Sequence, residues 1–473
     1  MSYPDSLMYY ANTLRGVSTN VFRVNAQTTG NVGANQTIRF ELPSNTLLNL
    51  RNTRLQMNVA CSGTGDQRLP PLHLLLQRVS VLAGGIPIDS GCNNLPVITQ
   101  VLRNMRPDDC DKVVEHDNIY RNVSQDTYGK LGGTQETGIT VDGTAQYNIS
   151  LGTFFDSVSP GILATDILPS LQVEIFLSNS SVILSSAGVT PGTGATFVTA
   201  GTADGSFTVS NYHLVCPCIA IGDKGYEMMI DSAMSRNKYV PVMYHQYYNF
   251  SSTYTGDAIC SNGSECLNKL IAVFRKTNYN ASGLAPLIRS GFNNEDGVVT
   301  ARGTPVGAGG AQGSYFQGDG YAANESYISP QLKFNAPTNA AGSLLANNNL
   351  TAIAVTGVPR LNWRVSNVMM PNYQVPLLEW YMLSKQAMDV SRPTNAKSMF
   401  EFMEDQYVVA QALNLPNTSV RLKCGADMRG STSQIRLEAN NTTNLSPDHN
   451  IEIFLQCTSE LRIGQGMDLQ VFN

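Results

Sequence analysis

Apolar and polar residues alternate with a period of two along most of the apolar stretches of this 473-residue chain, the pattern of strands with one buried and one exposed face. From Arg51 to Cys61, Leu55, Met57, Val59 and Cys61 fall on one side, and Arg54, Gln56 and Asn58 on the other. The same alternation predicts a strand at 171–177, where Leu171, Val173, Ile175 and Leu177 oppose Gln172 and Glu174. It predicts another at 420–424, with Val420, Leu422 and Cys424 against Arg421 and Lys423. Near the end, Ile451, Ile453, Leu455 and Cys457 alternate with Glu452 and Gln456, and Met467, Leu469 and Val471 alternate with Asp468 and Gln470. Gln77–Ala83 and Leu267–Arg275 complete the set of clear strands.

Helical spacing is rarer. Asn94–Met105 carries Leu95, Ile98, Val101, Leu102 and Met105 at steps of three and four, with Pro96 in the first turn. Pro376–Asp389 reads the same way, Pro376 opening a run with Leu377, Trp380, Tyr381 and Leu383 on one stripe. Gly225–Arg236 is a weaker third, and Leu7, Tyr10, Ala11 and Leu14 predict a short amphipathic helix that needs a partner surface to be stable.

These elements divide the chain into an N-terminal arm (1–19), a strand-rich half (20–221), a polar connector (222–237) and a second strand-rich half (238–473). Each half contains one convincing helix and long Gly/Ser/Thr/Asn-rich insertions, at 130–143 and 178–204 in the first and at 293–349 in the second. Such lengths inside compact domains point to protruding surface loops. The expected fold class is all-β: two consecutive eight-stranded antiparallel jelly-roll sandwiches with short accessory helices and long surface loops.

Charged residues make up only 14 % of the chain and the net charge is −5, against about 25 % charged in ordinary soluble proteins. No basic run is present, which excludes a protein that coats nucleic acid by itself. Residues 1–16 lack the apolar stretch of a signal peptide. Synthesis in the cytosol is therefore expected, with the nine cysteines as buried reduced thiols and the Asn-x-Ser/Thr triplets at Asn122, Asn148, Asn249, Asn280 and Asn441 unglycosylated.

Candidate chemistry is thin. His73, His116, His213, His245 and His449 are scattered singly, which does not make a metal site. Cys216 and Cys218, and Cys260 and Cys266, lack zinc spacing; the first pair reads as buried thiols, while Cys260 sits among turn formers where an exposed thiol is conceivable. Gly307, Gly309, Gly310 and Gly313 lack the strand, helix and lysine of a phosphate loop. Asp108, Asp109 and Asp111, and Glu401, Glu404 and Asp405, are acidic clusters that read as solvated turns. Tyr239, Tyr244, Tyr247, Tyr248 and Phe250 form the best candidate for sugar stacking, with strand packing or a subunit contact as the alternative. No residue is assigned as catalytic, cofactor-binding or metal-binding, and no cofactor is expected.

Several ordered segments carry a resemblance. Val21-Phe22-Arg23-Val24, then Gln36-Thr37-Ile38-Arg39-Phe40-Glu41-Leu42-Pro43, then Asn52-Thr53-Arg54-Leu55, are followed by Leu76 to Asp89 with its apolar run, Gly84-Gly85 turn and Ile86-Pro87-Ile88 continuation. With the Ile451–Cys457 strand and the closing Leu461 to Phe472, the layout resembles double jelly-roll major capsid proteins of icosahedral double-stranded DNA viruses, of the algal-virus, virophage or polinton-like type. The resemblance implies a structural, non-enzymatic virion protein. It would form a homotrimer of six rolls, a pseudo-hexagonal capsomer that contacts neighbouring capsomers. It also implies tower loops at 178–204 and 293–349, an arm that meets penton and minor capsid proteins, a possible internal membrane, and no sequence-specific nucleic-acid binding. A carbohydrate-binding or carbohydrate-cleaving β-sandwich is the competing reading.

Overall fold

The computed structural model describes residues 17–62, 67–68, 72–105, 119–121, 144–185, 206–221, 225–277, 287–288, 327–328, 332, 334–337, 360–388, 402, 406–415, 422–430, 434–440 and 449–473. Eight principal strands frame the first roll, with short strands Val32–Gly33, Leu47–Asn49, Ile119–Arg121 and Ile162–Ala164 added to its larger sheet: β1 (Val17–Asn25), β2 (Thr37–Glu41), β3 (Arg54–Ser62), β4 (Leu76–Ala83), β5 (Ile86–Asp89), β6 (Thr144–Ser150), β7 (Leu171–Leu177) and β8 (Ser206–Ile221). They pair antiparallel in two sheets, β1-β8-β3-β6 and β2-β7-β4-β5. The second roll uses β9 (Tyr239–Thr253), β10 (Ala258–Ser261), β11 (Leu267–Lys276), β12 (Arg360–Val365), β13 (Val368–Pro376), β14 (Val408–Ala412), β15 (Gln434–Asn440) and β16 (His449–Gly464). Its sheets are β9-β16-β11-β14 and β10-β15-β12-β13. Adding eight to every strand number of the first roll gives the second, so the two rolls share one topology. Both expected jelly rolls are present. A last strand, β17 (Leu469–Phe472), pairs with the end of β16.

The alternation read along the chain translates directly at β7, where Leu171, Val173, Ile175 and Leu177 are buried and the residues between them are half-buried. Leu55, Met57 and Val59 of β3 face the same core. Helix α1 (Leu95–Asn104) buries Leu95, Ile98 and Val101, and Met105 behind it, as its spacing predicts. Two further helices matter below: α2 (Thr153–Ser157) in the β6–β7 connection and α3 (Gly225–Asn237) between the rolls.

Other expectations are corrected. Val17–Thr19, assigned to the arm, already belong to β1. Pro376 closes β13 instead of opening a helix, and α4 (Trp380–Ala387) starts four residues later. Leu422–Cys424 is not a strand: it lies in an irregular segment tied to the start of β11, with Leu422 exposed. Glu452 and Gln456, read as the solvent side of a half-buried strand, are buried: β16 runs centrally in its sheet, and both of its faces are covered. Met467 is exposed in a 3-10 turn, leaving Leu469 and Val471 to pack on the core. Within the expected loop 293–349, Leu332, Phe334 and Ala336 are buried against the second roll. The expected surface loop 178–204 begins inside the fold: Ser178, Val182 and Ile183 are buried and Leu184–Ser185 pairs with Gln67–Arg68. The N-terminal amphipathic helix, the 130–143 loop, 186–204 and most of 293–349 lie outside the described residues.

Candidate functional site: the seam between the rolls

The side chains brought together by the fold lie where the first roll meets β9. Chain reversal after β5 sets up one side. Asp89 accepts the Gly91 N–H at 3.0 Å, an Asx turn, while Gly91 adopts φ +78°, where any Cβ would overlap the Val79 carbonyl. Ser80 Oγ fixes the Ser90 carbonyl at 2.8 Å. Five residues of α2 supply the other side, with Phe154 and Phe155 in edge contact, centroids 5.6 Å apart.

Onto this platform β9 lays Tyr244, whose ring meets Phe154 edge-on at 4.9 Å and whose hydroxyl donates to the Ile88 carbonyl. The backbones join: Ser159 N–H donates to the Met243 carbonyl at 2.7 Å and Met243 N–H returns the bond at 2.9 Å. His245 N–H donates to Ser157 Oγ at 2.9 Å. The Gln246 amide reaches Ser90 Oγ at 3.5 Å and accepts from Tyr248 and Ser459 hydroxyls at 3.1 Å each. A buried, well-bonded polar network of this kind fixes one relative placement of its parts.

Asp89 in the seam and His245, whose ring contacts Thr458 Oγ1 at 3.4 Å on the other face of β9, carry opposite perturbations. Burial pushes the Asp89 carboxyl up to about 6, partly offset by the Gly91 N–H. Burial pulls His245 down to about 4, helped by the Lys269 charge. Burial, and then the Asp89 charge, hold the Cys92 thiol well above its ordinary value. Tyr248 is raised to about 12 by burial, with smaller contributions from Cys457 and Asp89.

The sequence candidates are distributed as follows. Of the aromatic cluster, Tyr244 and Tyr247 are buried, and Tyr247 accepts from Gln456 at 2.6 Å; Tyr239, Tyr248 and Phe250 are half-buried. Among the described residues no group of three or more His, Cys, Asp or Glu side chains could hold a metal, and no helix is long and apolar enough to cross a membrane. His213 contacts Gln56 at 3.0 Å, and His73 and His449 are buried apart from it. Asn148 and Asn249 lie inside β6 and β9. His116, both acidic clusters and Gly307–Gly313 lie outside the described residues. Cys260 is a correction: it is buried in β10, not exposed in a turn, and burial raises it to about 12. Cys216 is likewise held at about 12, burial first and Cys218 second. Native protein treated with iodoacetamide at pH 8 is therefore expected to leave Cys92, Cys216 and Cys260 unlabelled by peptide mass spectrometry, while unfolded protein labels all three. Labelling of native Cys260 would contradict its burial.

Sequence reasoning missed the seam's polar members. Asp89 looked like the end of a strand motif, and α2 is too short to show periodicity.

No protein-family model matches the sequence, and no curated protein matches it. Solved structures do. A chain of the PBCV-1 virus capsid superposes with TM-score 0.54 over 97 % of both chains at 11 % identity. The Faustovirus major capsid protein does so with TM-score 0.55 over 95 % of this chain and 91 % of that chain at 10 % identity. PBCV-1 VP54, as fitted into a reconstruction of the virophage Sputnik, gives TM-score 0.53 over 97 % of both at 12 % identity. The fold is therefore the double jelly roll of these viral capsid chains.

Proposed function

We propose that this protein is the structural building block of a viral capsid: a subunit that trimerises into pseudo-hexagonal capsomers and tiles an icosahedral shell around a double-stranded DNA genome. The observation that carries the reading is the pair of rolls with one strand order, locked side by side by the seam, matched from end to end by capsid chains. The low charge supports it, since a subunit enclosed by neighbours profits from contact surfaces that bury few ions. In this reading residues 17–221 and 238–473 are the two roll domains joined by 222–237. The stretches 186–204 and 293–331 project as towers, and the arm meets penton and minor proteins beneath the shell, over a membrane where one is present. Its place is the virion and its work is assembly, not catalysis.

Light scattering on purified protein is expected to give three times the 51.2 kDa chain mass, and negative-stain micrographs to show hexagonal particles. Featureless monomers at micromolar concentration would reject the reading.

A further inference from the structure

Asp89 sits between the two residues by which the turn after β5 holds β9. Ile88 offers its carbonyl to the Tyr244 hydroxyl, and Ser90 offers Oγ to the Gln246 amide at 3.5 Å. The carboxyl between them is 2 % exposed. Among the described residues its one hydrogen bond comes from the Gly91 N–H, and no cation pairs with it. A carboxylate held in this way has lost its water without gaining a counter-charge, so ionisation works against burial.

The groups around Asp89 keep one charge state while it titrates. β9 brings the Tyr244 and Tyr248 phenols, both raised by burial before any other cause. The turn brings the Cys92 thiol, also raised, and β16 brings Cys457 near Tyr248, raised by burial to about 11. β4 brings Arg78, whose stem lies against Gly91 while its guanidinium lies over the Phe176 ring at 4.0 Å, on the outer face of the sheet. Asp156 of α2 is exposed and accepts from Ser150 Oγ at 3.0 Å. The His245 ring is turned to Thr458, on the other face of β9. Asp89 is therefore the group of the seam that changes charge in weakly acidic to neutral solution.

Tyr244 ties the turn to α2, since its hydroxyl reaches Ile88 and its ring meets Phe154. Loss of the turn contact frees one end of the residue that α2 also holds. We propose that Asp89 makes the seam a pH-operated joint: the turn and α2 are closed on β9 while the carboxyl is protonated, and part from it more readily once the carboxyl ionises. The proton passes to bulk water and the carboxylate is hydrated in the opened turn. Local opening of this kind needs no unfolding of either roll. The joint lies within one chain, so it goes beyond the assembly reading and does not depend on it. A subunit so built is stiffest in mildly acidic solution and loosens as the medium turns alkaline.

Hydrogen exchange read by peptide mass spectrometry at pH 5 and pH 8 tests this on the parent chain, Asp89→Asn and Asp156→Asn. The seam reports through the amides of Ser159, Met243 and His245, which are bonded across it, and β7 and β15 report the two roll interiors. In the parent at pH 8 the seam amides are expected to exchange ahead of β7 and β15. Their rate relative to Asp89→Asn is expected to grow about tenfold between pH 5 and pH 8, as follows for a carboxyl at about 6 when closed and 3.8 when open. Asp156→Asn, an exposed carboxyl on the same seam element, is expected to follow the parent. Seam amides that exchange only together with β7 and β15 overturn the inference, and that result needs no variant. A parent-to-Asp89→Asn ratio equal at both pH values, or an Asp156→Asn variant that loses the response, overturns it as well. None of these outcomes alters the oligomeric mass on which the assembly reading is tested.

Discussion

Glu452→Ala is expected to cost the second roll about 3–5 kcal/mol, the usual penalty for removing one partner of a buried ion pair. Glu452 and Arg275 sit diagonally on adjacent strands β16 and β11, Arg275 opposite Asn450 and Glu452 opposite Val273, and their side chains are in contact. Glu452 is 0 % exposed and Arg275 is 7 % exposed, and burial already draws the guanidinium down to about 10. Truncating the carboxylate strands that cation in a low-dielectric interior. Replacing both, as Arg275→Met with Glu452→Leu, is expected to recover most of the loss, because two apolar side chains of similar length need no desolvation of charge. The readout is unusually clean. The chain has two tryptophans, Trp363 in β12 and Trp380 in α4, both fully buried in the second roll. Urea unfolding followed by Trp fluorescence thus reports this roll, and a single variant with an unchanged midpoint would refute the account.

Asp89→Asn is expected to stabilise the protein by about 2 kcal/mol at pH 7.5 and to contribute no gain at pH 4. A carboxyl raised from 3.8 to about 6 is penalised by about 3 kcal/mol once ionised, at 1.36 kcal/mol for each pH unit, and a buried amide hydrogen returns about 1 kcal/mol of that. The sign follows from proton linkage: the native state holds the Asp89 proton more tightly than the unfolded chain. Its favourable contribution is complete below pH 4 and is lost as pH rises through 6. His245 runs the other way. Its value is lowered to about 4, so its contribution is complete above pH 6.5 and is lost as pH falls towards 4. The two titrate independently and oppose each other across the same window. The parent chain should therefore show a flattened response between pH 4 and 6.5. Asp89→Asn should lose stability on acidification, and His245→Gln should gain it. Thermal melts at half-unit pH steps measure this, and parallel curves for parent and Asp89→Asn would disprove it.

Strand positions were legible where one face is dry and the other wet. β7 and β3 are such cases, and their alternation names the core directly. β16 shows the limit of that reasoning. Period two tells which residues share a face but not whether both faces are covered, and Glu452 and Gln456 on its polar side are buried as well. At Leu422–Cys424 the alternation continues, yet the following Gly425 N–H, Ala426 and Met428 are engaged by Cys266, Leu267 and Ser264 in an irregular path, and no ladder forms there. The helix after Pro376 was placed in the right region but begun too early, because proline tolerates both a helix start and a strand end. The seam was illegible altogether. It is made of single residues, Asp89, Phe154, Ser157 and Tyr244, whose meeting depends on how two domains are set against each other, and no local period encodes that.

The position of β8 and β16 governs when each roll can close. Neither is an edge. β8 lies between β1 and β3, and β16 between β9 and β11. Each is also late in its roll, Ser206–Ile221 and His449–Gly464. A ribosome that has delivered β1 and β3 has made two strands with no partner between them. The large sheet of the first roll waits until residue 206 emerges, and that of the second until residue 449. Long-range pairing of this kind makes folding slow and leaves unpaired edges open in the meantime. The nascent first roll can mature while the second is still being synthesised, so the topology predicts two successive closures, each completed when its central strand emerges.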